Sequence, residues 1–261
     1  MRLKNEQMLD KFFAKSANRS ALPDGQRIFA VGDIHGRLDL LTDLMARLEK
    51  EAQGGADNAT STIVFLGDYV DRGPDSRGVV DFLLRLADAP LSTVFLKGNH
   101  EAALLDFLHD PEDWVAWLEW GGIETMQSYG VRVGLADEPR DLAARFAAAL
   151  PDDHLAFFKT LRHSHMAGDY FFAHAGVKPG APLDAQLPED LFWIRAAFHN
   201  CPADQRPDKT VVHGHHPTTK PVNLDWRIGV DTGAVWTGVL SAVALEGEDR
   251  RFITVKGAKG A

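Results

Sequence analysis

Five short segments of the sequence carry oxygen or imidazole ligands beside glycines, and most of them follow an apolar run. They are Gly32-Asp33-Ile34-His35-Gly36, Gly67-Asp68-Tyr69-Val70-Asp71-Arg72-Gly73, Gly98-Asn99-His100-Glu101, His174-Ala175-Gly176 and Gly214-His215-His216-Pro217. Asp, His and Asn without nearby thiolates suit first-row metals such as Mn, Fe or Zn better than calcium. Glycines let the backbone approach a ligand closely. Five such segments in this order indicate a two-metal site at the edge of a sheet.

A two-metal site needs one carboxylate that bridges both ions, and Asp68 is the candidate for that role. Asp33 and His35, two residues apart in one turn, can complete the ligand set of one metal. The other metal can be completed by Asn99 through its amide oxygen, His174 and His215. Two ions held in this way stabilise the attacking and leaving oxygens of a phosphoryl group, which is the chemistry of phosphoester hydrolysis.

Three further residues adjoin these ligands. His100 follows Asn99 directly, and a protonated imidazole there could give a proton to the leaving oxygen. Asp71 could orient that imidazole and keep it cationic. Arg72 offers a planar fork of donors that matches a phosphate dianion better than a lysine would. We therefore expect His100 and Asp71 to be catalytic and Arg72 to bind phosphate.

Elements of regular structure must position these turns, and the apolar pattern predicts strand, ligand-bearing turn and helix three times over. Strands are expected at 27–31, 62–66 and 93–96, each ending at a ligand segment. One helix is expected from about residue 38, with apolar positions to 48 and its end marked by Gly54-Gly55. A second helix is expected over about 76–87. This alternation is typical of an α/β sheet with its site at the carboxyl ends of the strands.

The rest of the chain divides into a helical part and a β-rich part. Residues 101 to about 161 are predicted to be helical, with helix starts at Pro111, Pro139 and Pro151. They form either a layer packed on the sheet, which we favour, or a rim in which residues 114–129 shape the substrate cleft. After Asp169 an antiparallel or mixed sheet is expected. One domain over 1–261 is predicted, with residues 1–26 as an N-terminal extension.

Composition narrows the class of protein. The 261 residues carry a formal net charge of −9 and are 45% hydrophobic, as in an ordinary soluble globular protein, and the acidic balance argues against a nucleic-acid groove. Residues 1–26 contain no apolar segment, so neither a signal peptide nor a membrane span is expected. The single cysteine, Cys201, cannot form an intramolecular disulfide. We predict a cytoplasmic enzyme without nucleic-acid or membrane partners.

The segments GDxHG, GDxVDRG, GNHE, HAG and GH, spanning Gly32 to Pro217, resemble those of bacterial phosphoprotein phosphatases within the calcineurin-like metallophosphoesterase superfamily. The resemblance implies an α/β fold of αββα type, a sandwich of two mixed sheets flanked by helices, with a helical insertion after the third motif strand. It implies the same roles for the six metal ligands, for His100, Asp71 and Arg72, and adds Arg195 of Trp193-Ile194-Arg195 as a second phosphate ligand.

Two segments depart from the family pattern or extend it. His213 precedes Gly214-His215-His216-Pro217, so three imidazoles share one turn. His215 occupies the family's ligand position. His213 and His216 are then expected either to lie near the site without binding a metal or to be exposed. Asp231-Thr232-Gly233 resembles a late family segment that we expect to be structural.

The expected function is hydrolysis of phosphomonoesters, with phosphoproteins (phosphoserine or phosphothreonine, and also phosphotyrosine) as the main substrate class. Direct attack by a metal-bound hydroxide is expected, with two divalent ions drawn from Mn²⁺, Fe²⁺/Fe³⁺ and Zn²⁺. The partner is then a phosphorylated protein or a small phosphoester.

Two alternatives stay open. Symmetrical diadenosine tetraphosphate hydrolases share the GDxHG and DTG segments, so a nucleotide polyphosphate could be the substrate instead. Asp71 before Arg72, together with the GNHE and HGHHP segments, favours the phosphatases. A non-catalytic scaffold is the third hypothesis, and the complete ligand set argues against it.

Overall fold

The first sheet is built around an apolar strand, β1 (Gln26–Val31), in which every residue after the first is buried. It pairs in parallel with β2 (Thr60–Phe65), which pairs in parallel with β3 (Ser92–Phe95). The other edge of β1 pairs antiparallel with β9 (Val239–Glu246), and β9 pairs antiparallel with β10 (Asp249–Lys256). The sheet order is therefore β10-β9-β1-β2-β3. The computed structural model describes residues 20–53, 60–87 and 91–259.

Two helices connect the parallel strands of this sheet, close to where the sequence predicts them. Helix α1 (Leu38–Gln53) buries an apolar stripe at helical spacing, and α2 (Ser76–Ala87) has the predicted bounds. The predicted end of the first helix at Gly54-Gly55 lies outside the described residues.

The second sheet is also mixed. Its strands are β4 (Ser164–Ala167), β5 (Tyr170–Ala173), β6 (Thr210–His213), β7 (Val222–Asn223) and β8 (Arg227–Gly229), in the order β4-β5-β6-β8-β7. The three central strands are parallel, and the edge strands β4 and β7 are antiparallel to their neighbours. The β-rich second half does not form a single sheet, because β9 and β10 return to the first sheet, where β9 pairs with the edge of β1 that β2 leaves open.

Alternate residues of the strands face different apolar layers. Ile28 and Ala30 pack in the cluster between the two sheets, which includes Phe172 and Val212 of the second sheet. Phe29, with its neighbour Val31, packs against α1 and α2 on the other face. The outer face of the second sheet is covered by α7 (Pro188–Trp193) and α8 (Ala196–His199). The expected αββα sandwich of two mixed sheets is thereby confirmed.

A helical insertion follows β3, as expected. Pro139 and Pro151 begin helices as predicted, but Pro111 lies in a turn. The prediction for Pro111 was wrong because the residue directly follows the end of a helix, where proline prevents continuation. The insertion comprises α3 (Asn99–His109), a 3-10 helix (Val115–Trp120), α4 (Gly122–Ser128), α5 (Pro139–Ala149) and α6 (Asp152–Thr160).

Residues 1–19, most of the predicted N-terminal extension, lie outside the described residues. In the described part of the chain, no helix combines the length and apolar character needed to cross a bilayer. The single domain and the cytoplasmic location stay predictions.

Apolar burial between the two sheets should contribute to the stability of the fold. Phe172 is fully buried there, whereas Phe252 packs on the same layer from the edge strand β10 and is partly exposed. We expect Phe172→Ala to lower the free energy of unfolding by about 3–5 kcal/mol, because it removes a buried ring and leaves a cavity. Urea denaturation followed by fluorescence measures this. Phe252→Ala is the control and should cost clearly less, and equal losses would contradict the assignment of the core.

Candidate active site

The candidate ligands lie in turns that follow the strands of both sheets. Asp33 and His35 follow β1, residues 68–72 follow β2, and Asn99 begins α3 after β3. In the second sheet, His174 follows β5 and His215 follows β6. These strands bring their carboxyl ends to one edge of the sandwich, as the alternation of elements predicts.

Backbone strain is concentrated in these turns. Among the described residues, the non-glycine residues with positive φ are His35 (48°), Asp68 (55°), Asp71 (74°), Arg72 (68°) and His215 (63°). Each such conformation costs on the order of 1–3 kcal/mol. All five belong to the candidate site, so packing around the turns must hold the side chains in conformations that a free chain avoids.

Two glycines of the motifs are required by close approach. A β-carbon at Gly98 would overlap Oδ1 of Asp68, and one at Gly214 would overlap Oδ1 of Asp33. The glycines therefore let the backbone of one turn contact the carboxylate of another.

The first group of possible metal ligands consists of His35, Asp68 and His100, all of them buried. Nε2 of His35 lies 3.5 Å from Oδ2 of Asp68, and Nε2 of His100 lies 3.9 Å from the same oxygen. Nδ1 of His35 donates to the carbonyl of Val70 at 2.8 Å, so Nε2 of the neutral ring carries the lone pair. Nη1 of Arg72 donates to that lone pair at 2.6 Å, which places a cation where a metal could bind.

The second group contains Asp68 again, with His174 and His215, and Asn99 lies beside it. Nε2 of His174 is 2.9 Å from Oδ1 of Asn99, 3.2 Å from Nδ1 of His215 and 3.4 Å from Oδ1 of Asp68. Nδ1 of His174 donates to the carbonyl of Leu66 at 2.9 Å. In the neutral ring, Nε2 is thus an acceptor that faces other acceptors. Such an arrangement is repulsive unless a proton or a metal ion lies among them.

The buried charges of the site also favour a bound cation. Burial raises the pKa of Asp33 well above its ordinary value, and the charges of Asp231 and Asp68 add to this. Burial also raises the pKa of Asp231 to about 6. It lowers the pKa of His174, but the carboxylates of Asp68, Asp33 and Glu101 together outweigh that effect and bring the value to about 9. Divalent ions would neutralise this cluster of carboxylates, so the residues fit a two-metal site.

His100 is paired with a buried carboxylate. Its Nδ1 donates to Oδ2 of Asp71 at 2.6 Å. Burial lowers the pKa of His100, but the carboxylates of Asp68 and Asp71 outweigh it and hold the pKa above its ordinary value. The indole N–H of Trp117 and the hydroxyl of Thr125 also donate to Asp71, at 2.8 and 2.6 Å. Both come from the insertion, and sequence reasoning assigned neither.

Sequence reasoning also missed the role of Glu101. Its buried carboxylate accepts the backbone N–H groups of Asp68 (2.9 Å), Tyr69 (2.7 Å) and Gly98 (2.9 Å). It thereby ties the turn that carries Asp68 to the start of α3. Its position three residues after Gly98 at a helix start is the capping-box position, which was the available signal.

Asp33 and Arg195 are the remaining expected ligands, and neither belongs to the two groups described above. The carboxylate of Asp33 accepts the backbone N–H of His215 at 3.0–3.1 Å, and its place in the first metal's ligand set stays a prediction. Arg195 is exposed at the start of α8. Burial lowers the pKa of His215 to about 2, with the charges of His174 and Arg195 contributing to the same shift, so Arg195 lies near the second group. A neutral His215 keeps a lone pair for a metal.

The other imidazoles of the turn lie outside both ligand groups. His213 is buried, and burial lowers its pKa to about 3. Its ring packs edge-on against Phe198 at 5.1 Å. His216 is exposed and lies 4.2 Å from the ring of His199.

A cleft of about 1430 Å³ opens beside Arg72. The insertion supplies one wall through Glu119, Trp120, Glu124 and Gln127, whereas Trp117 of the same segment is fully buried in the core. Both interpretations of residues 114–129 are therefore correct in part, because one face of this segment packs on the sheet and the other lines the cleft.

Replacing the Glu101 carboxylate by an amide tests its hold on the Asp68 turn. We expect Glu101→Gln to lower the free energy of unfolding by roughly 1.5–3 kcal/mol, because an amide N–H would face backbone N–H donors. Mn²⁺ affinity, measured by calorimetric titration beside thermal denaturation, should fall as well. Glu124→Gln, on the exposed side of α4, is the control. Unchanged stability and Mn²⁺ affinity in Glu101→Gln would show that the carboxylate does not hold the turn.

Comparison with known proteins agrees with this geometry. The chain is 24% identical to the asymmetrical bis(5′-nucleosyl)-tetraphosphatase PrpE of Oceanobacillus iheyensis, over 88% of this chain and 92% of that protein. It is 26% identical to the symmetrical bis(5′-nucleosyl)-tetraphosphatase of Neisseria meningitidis, over 85% and 93%. A solved structure described as a proposed diadenosine tetraphosphatase matches with a TM-score of 0.61 at 27% identity, over 93% and 96%.

These relatives carry the name of tetraphosphatases, so they support the superfamily expected from the motifs but not specifically its phosphoprotein phosphatase branch. The family model of calcineurin-like phosphoesterases matches residues 26–238, which include all the candidate ligands. The chain belongs to the calcineurin-like phosphoesterase family.

Proposed function

We propose that this protein is a two-metal hydrolase that cleaves dinucleoside polyphosphates such as diadenosine tetraphosphate. The observation that carries the hydrolase assignment is the placement of Asp68, whose two carboxylate oxygens face separate groups of imidazoles at 3.4–3.9 Å. A carboxylate shared by two ligand groups is what a bridged pair of ions requires.

Asp33, His35 and Asp68 would hold one ion, and Asp68, Asn99, His174 and His215 the other. The donors are carboxylate, imidazole and amide groups, which suit Mn²⁺, iron or Zn²⁺. When bound, two such ions activate water and neutralise charge on the phosphoryl oxygens. Hydrolysis adds water across one P–O bond, and the proton that the leaving oxygen needs must come from a nearby acid.

His100 would supply that proton. Its Nδ1 is engaged by Asp71, so Nε2 is the atom that faces Asp68 and the reacting region. The network of Asp71 with Trp117 and Thr125 keeps the imidazole oriented. Arg72 and Arg195 would bind the phosphoryl oxygens, since each guanidinium offers several donors in one plane.

The choice of a nucleotide substrate rests on the relatives that are named as tetraphosphatases and cover most of this chain. Phosphomonoester hydrolysis, as in phosphoproteins, is the second candidate. The paired His100 and Asp71 favour it, because an alkoxide is a far more basic leaving group than a nucleotide phosphate and has more need of an acid.

A substrate panel separates the two candidates. We expect chelation to abolish turnover and Mn²⁺ to restore it, with diadenosine tetraphosphate hydrolysed faster than phosphoserine or phosphotyrosine peptides at equal concentration. Phosphate release and nucleotide chromatography measure the products. Asp68→Asn is the control for metal-dependent turnover and should not recover. Peptide turnover that exceeds nucleotide turnover would reverse the order of the two candidates.

Substitution of the proposed acid tests the mechanism for either substrate. His100→Asn should lower kcat by about 10²–10⁴-fold, the usual loss for a general acid, while bound metal measured by atomic absorption is retained. Asp71→Asn should lower kcat in the same direction, because the imidazole loses its orienting carboxylate. The control is His109→Asn, an exposed imidazole at the end of α3. Wild-type kcat in His100→Asn would remove this residue from the mechanism.

A further inference from the structure

The cleft beside Arg72 has one exposed aromatic side chain in its wall, and the proposed mechanism gives that side chain no role. Trp236 lines it and is 49% exposed, and it is the aromatic member of the large exposed apolar residues in the described part of the chain. We infer that the indole of Trp236 stacks the base of a bound nucleotide, and that the cleft is the nucleoside subsite of the active site.

The position of Trp236 relative to the phosphate-binding groups supports this subsite. The guanidinium carbon of Arg72 lies 5.0 Å from the centroid of the indole, and the ring of His35 lies 6.4 Å from it. Arg72 lines the cleft and also donates to His35 in the first ligand group. A phosphate on Arg72 would therefore lie beside the indole, within reach of a base joined to it through one ribose.

The local fold presents the indole rigidly. Trp236 lies in the short helix α9 (Ala234–Thr237), which is bounded by Gly233 and Gly238, both with left-handed φ near 70°. The hydroxyl of Thr237 donates to the carbonyl of Thr232, and that of Thr232 to the carbonyl of Val239. The Asp231-Thr232-Gly233 segment leads into this helix, and its hydrogen bonds support the turn that carries Trp236. A rigid aromatic surface binds a base with little loss of conformational entropy.

The wall of the cleft that the insertion supplies suits a nucleoside better than further phosphates. The insertion contributes the carboxylates of Glu119 and Glu124 and the amide of Gln127 to the lining. The lining also includes Lys259 and Arg37, and the guanidinium of Arg37 is paired with the carboxylate of Asp39. Carboxylates accept hydrogen bonds from ribose hydroxyls and exocyclic amines but repel phosphate oxygens. Charge therefore orients the ligand with its phosphates at Arg72 and its neutral base and sugar toward Trp236 and the insertion.

This subsite rests on the proposed function for its choice of ligand, and binding can test it without any turnover. Adenosine 5′-monophosphate and ribose 5-phosphate share a sugar phosphate and differ by the base. We expect Mn²⁺-loaded wild-type protein, titrated by calorimetry, to bind the first about 5- to 150-fold more tightly, the range for one stacked base. In Trp236→Ala this ratio should fall toward one, and Trp236→Phe should keep most of it.

Trp226 provides a matched control. It is a half-buried indole with the guanidinium of Arg206 at the same 5.0 Å, but it lies outside the lining of the cleft. Trp226→Ala should leave the ratio of the two affinities unchanged. A ratio near one in wild type, or an undiminished ratio in Trp236→Ala, would overturn the inference. A phosphopeptide whose Trp236-dependent binding is tighter than that of the mononucleotide would also overturn it. A protein that hydrolyses diadenosine tetraphosphate but shows no base preference would refute the subsite alone. Base-dependent binding without nucleotide hydrolysis would refute the proposed function alone.

Discussion

The carboxylate of Asp68 lies buried between two groups of imidazoles. The carboxyl groups of Asp33, Asp231 and Glu101 lie close enough for their charges to interact in this cluster. Water cannot screen charges in such a place, and lone pairs point at lone pairs around His174. The site is therefore unfavourable by itself and becomes favourable when positive charge is added. Much of the surrounding structure can be understood as holding these groups together in spite of their mutual repulsion.

Hydrogen bonds from backbone N–H groups to buried carboxylates hold the turns that carry these groups. Glu101 accepts the N–H groups of Asp68 and Tyr69 in one turn and of Gly98 at the start of α3, and Asp33 accepts the N–H of His215 from the other sheet. These hydrogen bonds offset the cost of the left-handed residues in the same turns. Glycines at the points of contact permit the approach. Strain and ligand geometry thus coincide in the same few residues, which is common where a site must be formed before its ligand arrives.

The parts of the chain that are not strands of the central sheets complete the site. The insertion supplies Trp117 and Thr125 to Asp71 and also a wall of the cleft, while the segment before β9 supplies Trp236. The strand-end turns carry the chemistry common to the family, and these two additions face the region where the leaving part of a substrate would lie. Substrate preference is therefore expected to depend on them more than on the metal ligands.

The sequence alone predicted the bounds of α2 and the convergence of Asp68, His174 and His215, because these depend on local signals: apolar period, glycine and ligand type. The αββα sandwich was implied by the resemblance of the motifs to a known family, whereas the apolar period predicted only a sheet with helices packed on it. Trp117 and Thr125 carry no such signal for their role, since each acts on Asp71, a buried carboxylate 46 or more residues away that it meets only in the folded state. Glu101 stands at a capping-box position, but its bonds to the Asp68 turn join residues 32 and 33 apart in the chain. The return of β9 and β10 to the first sheet was likewise decided by tertiary structure, because a strand's own residues do not specify which sheet edge is open. The same reason applies to Trp236: in the sequence it is one of six tryptophans, and only the packing of α9 beside Arg72 brings it to the site.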